Sequence, residues 1–233
     1  MSVKRTAGAI ADRRAATLIG VLYIIGTVSG VAAMAITPQL TPAQIAAHRG
    51  ATIAGTLLVL TMGFSLSALA AVFYPIGRRF SEWLATGYVI FRGALEGMVY
   101  VISAFIVLVL VALSSQPSAA TTAIAGVLAT SHGVIWNQLV ALPFGIGALM
   151  FYALLYRARL VPRWILVWGF ASAALFMAAN LAQMFGGNIN IVNASLLVQE
   201  MVLAVWLIAK GFDPGTVASD AGRQSLAACD VAG

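Results

Sequence analysis

The chain has 233 residues, of which 61% are apolar and 9% charged, with a mean hydropathy of +0.97. So little polar surface cannot coat a water-soluble globule of this size, so the composition excludes a soluble domain and predicts lipid as the solvent. The net charge of +6 sits in short clusters between apolar runs, without the interleaved aromatic platform of a single-strand binder, which argues against nucleic acid as a partner.

Lys4, Arg5, Arg13 and Arg14 precede the first apolar run, so residues 1–14 read as a cytoplasmic segment. Windows of about nineteen residues then predict spans over 15–36, 51–76, 83–113, 133–156, 164–185 and 193–210. The first run ends in Ala33-Met34-Ala35, as a cleaved secretory signal could, but it is long enough to span and reads as the first helix.

Arg78 and Arg79 follow the second span, Arg157, Arg159 and Arg163 the fourth, and Lys210 the sixth, whereas the other connections carry only Arg49. Because Lys and Arg stay on the cytoplasmic side, this asymmetry predicts an all-α, six-helix polytopic bundle in the cytoplasmic membrane with both termini inside.

In the first outer connection, Thr41-Pro42-Ala43-Gln44 has the composition of a helix start and predicts a short interfacial helix through His48. In the third, Ile124, Val127 and Leu128 recur at helical spacing after Pro117, which predicts a stretch lying on the membrane surface. Lys210-Gly211 before Asp213-Pro214 is a helix stop, leaving 15–212 as the membrane domain and 213–233 as a mobile cytoplasmic tail.

The third span carries Arg92 and Glu96 on one helix face, with Tyr100 a turn further on. At about 1.5 Å per residue from Glu82, Arg92 lies roughly 15 Å deep and Glu96 roughly 21 Å. Glu200, in the sixth span beside Gln199, lies roughly 15 Å from the same end.

A charge at the bilayer centre costs about 2.5–3.5 kcal/mol on insertion scales, so these groups are expected to pair and to make the third and sixth spans neighbours. One Arg and two carboxylates leave a net charge of minus one if both acids ionise. The cluster suits a proton or cation relay, and it suits a static brace equally well.

A second polar layer, toward the outer face, holds His132, Asn137, Gln138, Asn180 and Gln183. These residues either line a small outward-facing cavity or hydrogen-bond between helices. Gly26 with Gly30, and Gly93 with Gly97, permit close helix approach.

The single cysteine, Cys229, has no partner for a disulfide and reads as an inert thiol. Two histidines, both near the outer face, supply no haem or multi-His metal centre, and neither a Walker loop nor a G-x-S-x-G nucleophile occurs. No cofactor is expected, and neither is an enzyme.

The stretches IGVLYIIGTVSGV from Ile19, YPIGRRFSEWLATGYVIFRGALEG from Tyr74, FGIGALMFYALLYRARLVPRWILVWG from Phe144 and QEMVLAVWLIAKGF from Gln199 carry a resemblance. Over roughly residues 19–212 the chain resembles bacterial multi-pass proteins catalogued as domain of unknown function 4386. The resemblance implies a six-helix membrane domain and places Arg92, Glu96, Gln199 and Glu200 in the family's pattern.

Two functional readings follow. One is a small transporter or permease-like protein with a proton or small-molecule ligand at the Arg/Glu cluster. The other is a non-transporting sensor, assembly or envelope-stress protein braced by the same charges. Lipid is the one partner the sequence names.

Overall fold

The computed structural model describes residues 2–116, 118–187 and 192–213, with side chains from Asp12 onward except at 192–194. Cys229 and the tail beyond Asp213 lie outside the described residues. Among the described residues there is no strand.

The helices are α1 (Ser2–Ile36), α2 (Pro42–Ala47), α3 (Arg49–Gly77), α4 (Glu82–Tyr88), α5 (Glu96–Leu113), α6 (Ala119–Val134), α7 (Ala141–Ala158), α8 (Arg163–Met184) and α9 (Val192–Ala209). A π-helical stretch, Val89–Leu95, joins α4 to α5, and another, Ile135–Leu139, runs from α6 toward α7.

Among the described residues, five helices are long and apolar enough to cross a membrane: Asp12–Ile36, Arg49–Gly77, Glu82–Leu113, Ala119–Ala158 and Arg163–Met184. The apolar stretch Ser195–Ala209 of α9 is shorter. Such lengths and compositions are those of a membrane protein.

Local chemistry sets the helix starts. Thr41 accepts a hydrogen bond from the Gln44 N–H, with Pro42 in the first turn of α2. Ser81 caps α4 in the same way. Ser118 and Thr121 form a reciprocal capping box that starts α6.

The expected surface-lying stretch in the third connection is absent as a separate element. It continues through the π stretch into α7 as one rod of 40 residues, about 60 Å long and so about twice the apolar thickness of a bilayer. The Ser118 box starts the rod early, and Pro143, which cannot donate to the i→i−4 ladder, falls just after the π stretch where that ladder is already reset.

Six rods close on one another in chain order. α1 packs on α3, α3 on the π turn and α5, α4 and that π turn on α7, α7 on α8, α8 on α9, and α9 back on α1. The third and sixth rods therefore stand opposite each other across the ring. The expectation that they pack as neighbours is corrected: α1 and α8 flank α9, while α3 and α7 flank the third rod.

Close backbone approaches hold the ring. A Cβ at Gly20 would meet the Ala204 carbonyl of α9 at 2.6 Å, and Gly26 and Gly30 receive Leu66 and Met62 of α3. Gly93 and Gly97 face Ala70 and Ser67 of α3, where the Ser67 hydroxyl donates to the Gly93 carbonyl at 2.7 Å.

The main apolar core contains a run of rings from different rods. Phe73 meets Phe151 edge-on at 4.8 Å between centroids, and Tyr88 stacks on Phe151 at 4.7 Å.

At the end bearing the Arg78–Arg79 and Arg157–Arg163 turns, hereafter the basic end, Arg13 of α1 reaches the last turn of α9. It donates to the carbonyls of Leu207 (3.3 Å), Ile208 (2.8 Å) and Ala209 (3.0 Å). This satisfies carbonyls that a helix end leaves open and sets a cation at the negative pole of α9. Beside it, Asp12 pairs with Arg79 at 2.9 Å and ties α1 to the turn after α3.

Candidate functional site

Arg92 lies in the middle of the Val89–Leu95 π stretch, and its side chain reaches into the centre of the ring. A π turn shifts the residues after it relative to an α-helix, so it re-aims side chains, and such turns recur at functional sites. Here it lies against α7 at Gly147, where an added Cβ would meet the Arg92 backbone N and Cβ at 3.0 Å. The glycine lets the two backbones approach at the level of the charge.

The guanidinium binds two carboxylates. Arg92 Nη1 donates to Glu96 Oε2 at 3.1 Å, and Nη2 to Glu200 Oε1 at 3.2 Å across the axis. Tyr100 donates from its hydroxyl to Glu96 Oε1 at 2.7 Å. Phe144 of α7 presents its ring 4.2 Å from the Arg92 Cζ, a cation–π contact that leaves no polar demand.

Burial is nearly complete: Arg92 is 2% exposed, Glu96 0% and Glu200 9%. Glu200 is thus slightly less enclosed than Glu96, which lies behind Tyr100, although its carboxylate too is buried and faces Arg92 and Tyr23.

Gln199, one residue before Glu200, is as buried as Glu96. It accepts from the Tyr152 hydroxyl at 2.6 Å and donates to the Ile165 carbonyl at 3.1 Å, joining α9 to α7 and α8. Tyr23 of α1 lies against Glu200, and α3 packs on Tyr100 through Gly63, so every rod of the ring brings a residue to the site or its rim.

One group at the site lacks a well-formed hydrogen bond. The hydroxyl of Tyr88, four residues before Arg92, is buried beside the guanidinium, but no hydrogen bond of full geometry joins the two. A buried hydroxyl left without one costs about 1–3 kcal/mol, so its retention next to an ion cluster is a feature to explain.

With this geometry in hand, comparison by family model finds that residues 18–211 match the domain of unknown function DUF4386. The chain belongs to that family. No curated protein and no solved structure matches it, so the DUF4386 chain must be read from its own residues.

The predicted intramembrane set, Arg92, Glu96, Tyr100, Gln199 and Glu200, comes together in the DUF4386 chain, although Gln199 faces Tyr152 and Ile165 rather than the guanidinium. The outer layer does not gather in the same way. Asn137 is exposed and donates to the Gly133 carbonyl of its own helix, and buried Asn180 does the same with Phe176. Gln138 is half-buried, and Gln183 is half-buried and partnered.

His132 joins a different group. Trp136 Nε1 donates both to His132 Nε2 at 3.0 Å and to Ser103 Oγ at 2.7 Å, and the Trp136 ring lies 5.7 Å from that of Tyr100. A packed line of side chains thus runs from half-buried His132 to Tyr100, and Tyr100 bonds Glu96.

Sequence reasoning missed Tyr23, Tyr88, Phe144 and Tyr152 at this site. Tyr88 alone carried a readable signal, since it stands one turn before Arg92 as Glu96 stands one turn after. Among the described residues no group of three or more His, Cys, Asp or Glu side chains converges in a metal-binding arrangement.

Proposed function

We propose that this protein is a small proton-coupled transporter of a bacterial cytoplasmic membrane, with six spans, both termini inside, and the Arg92–Glu96–Glu200 cluster as its proton site. The charge count carries this reading. One carboxylate would already neutralise the guanidinium, whereas this buried site holds two, and a surplus buried charge costs several kcal/mol unless a proton or another cation accompanies it.

A proton on one carboxylate balances the site. We assign Glu200, the slightly less enclosed of the two residues, as the exchanging group, with Glu96, bonded by Arg92 and Tyr100, as its partner. The weakly bonded hydroxyl of Tyr88 offers a hydrogen bond to the water or small polar solute that would travel with the proton. The sixth span is α9, and the basic end marks the inner face. No step in this reading calls for an enzyme's acid–base pair or a metal.

The test is thermal unfolding in nanodiscs across roughly pH 5 to 8, followed by proton flux in proteoliposomes. A proton held in the folded state and released in the unfolded one makes stability fall as pH rises. Glu200→Gln mimics the protonated acid, so it should flatten that slope and abolish flux. A Glu200→Gln protein with wild-type slope and flux would refute the proposal.

The second reading is the brace. It is favoured by Arg92 tying opposite rods across the axis. In that case Glu200→Gln lowers the unfolding temperature by the same amount at every pH, and no flux is seen in wild type.

A further inference from the structure

Between α7 and α8, toward the basic end, lies a groove of about 420 Å³ on the outer surface of the ring. Its walls are Leu166, Val167 and Phe170, and its floor is Tyr152, whose hydroxyl is committed to Gln199 inside the bundle. The surface left for an occupant is therefore almost wholly hydrocarbon.

Arg157 forms one edge of the groove, in the last turn of α7. Arg163 opens α8 with its guanidinium 5.4 Å from the Tyr156 ring, and Tyr156 also lines the groove. Both arginines are exposed, and among the described residues neither has a carboxylate partner.

An apolar trough under a lip of exposed cations has the two-part chemistry of a phospholipid: hydrocarbon below, phosphate above. A soluble anion would use the lip and leave the trough empty, and an uncharged chain would fill the trough and leave the lip unneutralised.

We propose that the α7–α8 groove holds one acyl chain of an anionic phospholipid from the leaflet at the basic end, with its phosphate bound by Arg157 and Arg163. Exposed Val167 and Phe170 put the site in reach of the bilayer without any opening of the ring.

The test is native mass spectrometry of the full-length protein released from nanodiscs of equal phosphatidylglycerol and phosphatidylcholine. The expected result is one retained phosphatidylglycerol per chain, favoured roughly tenfold over phosphatidylcholine. Arg157→Gln with Arg163→Gln should erase the preference, whereas Arg78→Gln at the other basic turn should keep it.

Ala171→Phe and, separately, Val167→Trp fill the trough at exposed positions while leaving the cations in place, and each should cost the bound lipid. The proposal is overturned if these variants retain as much phosphatidylglycerol as wild type, or if Arg78→Gln loses it equally. It is also overturned if inorganic phosphate displaces the lipid, which would mark the lip as a soluble-anion site.

Discussion

Arg92 cannot be neutralised by deprotonation, so its burial is tolerable only while acceptors face it. Arg92→Leu strands two carboxylates and should destabilise the fold by about 3–5 kcal/mol, read as thermal unfolding in nanodiscs. Glu96→Gln keeps a carbonyl acceptor for Arg92 and turns an amide donor toward the Tyr100 oxygen, which can accept in its place, and should cost less, about 1–2 kcal/mol. Equal losses for the two would contradict the pairing seen here.

Tyr88→Phe removes a weakly bonded hydroxyl and should leave stability unchanged or raise it by about 1 kcal/mol. If Tyr88 hydrogen-bonds a transported group, the same variant lowers flux while the unfolding temperature holds. At this scale the sequence was legible where charge was concerned, because an ionisable group in an apolar run stands out at once. It was opaque for Tyr23, Phe144 and Tyr152, since aromatic residues in a membrane helix face lipid and core alike.

The decisive local elements are the π turn and the glycine that faces it. Gly147→Ala places a Cβ 3.0 Å from the Arg92 backbone and should destabilise by about 1–3 kcal/mol. Gly133→Ala, which meets open space, should be neutral or gain up to about 1 kcal/mol of helix propensity. Similar unfolding temperatures for the two variants would deny the close approach.

Neither feature was readable in advance. The shift from i→i−4 to i→i−5 bonding is set by packing against α7, and apolar periodicity in a membrane span has too little contrast to register it. Arg13 is a comparable case. Its charge was read as a topological marker, and its contact with three carbonyls of α9 emerges only once α1 and α9 lie side by side. The long α6–α7 rod escaped the nineteen-residue window because its first half reads as an interfacial stretch when taken alone.

For the whole molecule, the spans were largely legible because hydrophobic length is a one-dimensional property. The arrangement of rods was not, since which face of each rod turns inward depends on its neighbours. Topology can be checked with the chain's own single cysteine. With both termini inside, an impermeant maleimide should leave Cys229 unlabelled in intact cells and label it after permeabilisation. In a Cys229→Ser background, Ser115→Cys, at the end opposite the basic turns, should show the reverse. Labelling of Cys229 from outside would invert the proposed orientation.

The ring also has a history in time. Glu200 lies 108 residues after Arg92, so in a chain made from its N-terminus the third rod enters the membrane long before the sixth exists. Through that interval Arg92 is escorted by Glu96, one turn away on its own helix. Glu200 then arrives with the rod that closes the circle and gives the guanidinium a second carboxylate. The acid that accompanies the arginine into the bilayer and the acid that fastens it across the ring are different residues, engaged at different times in the life of the chain.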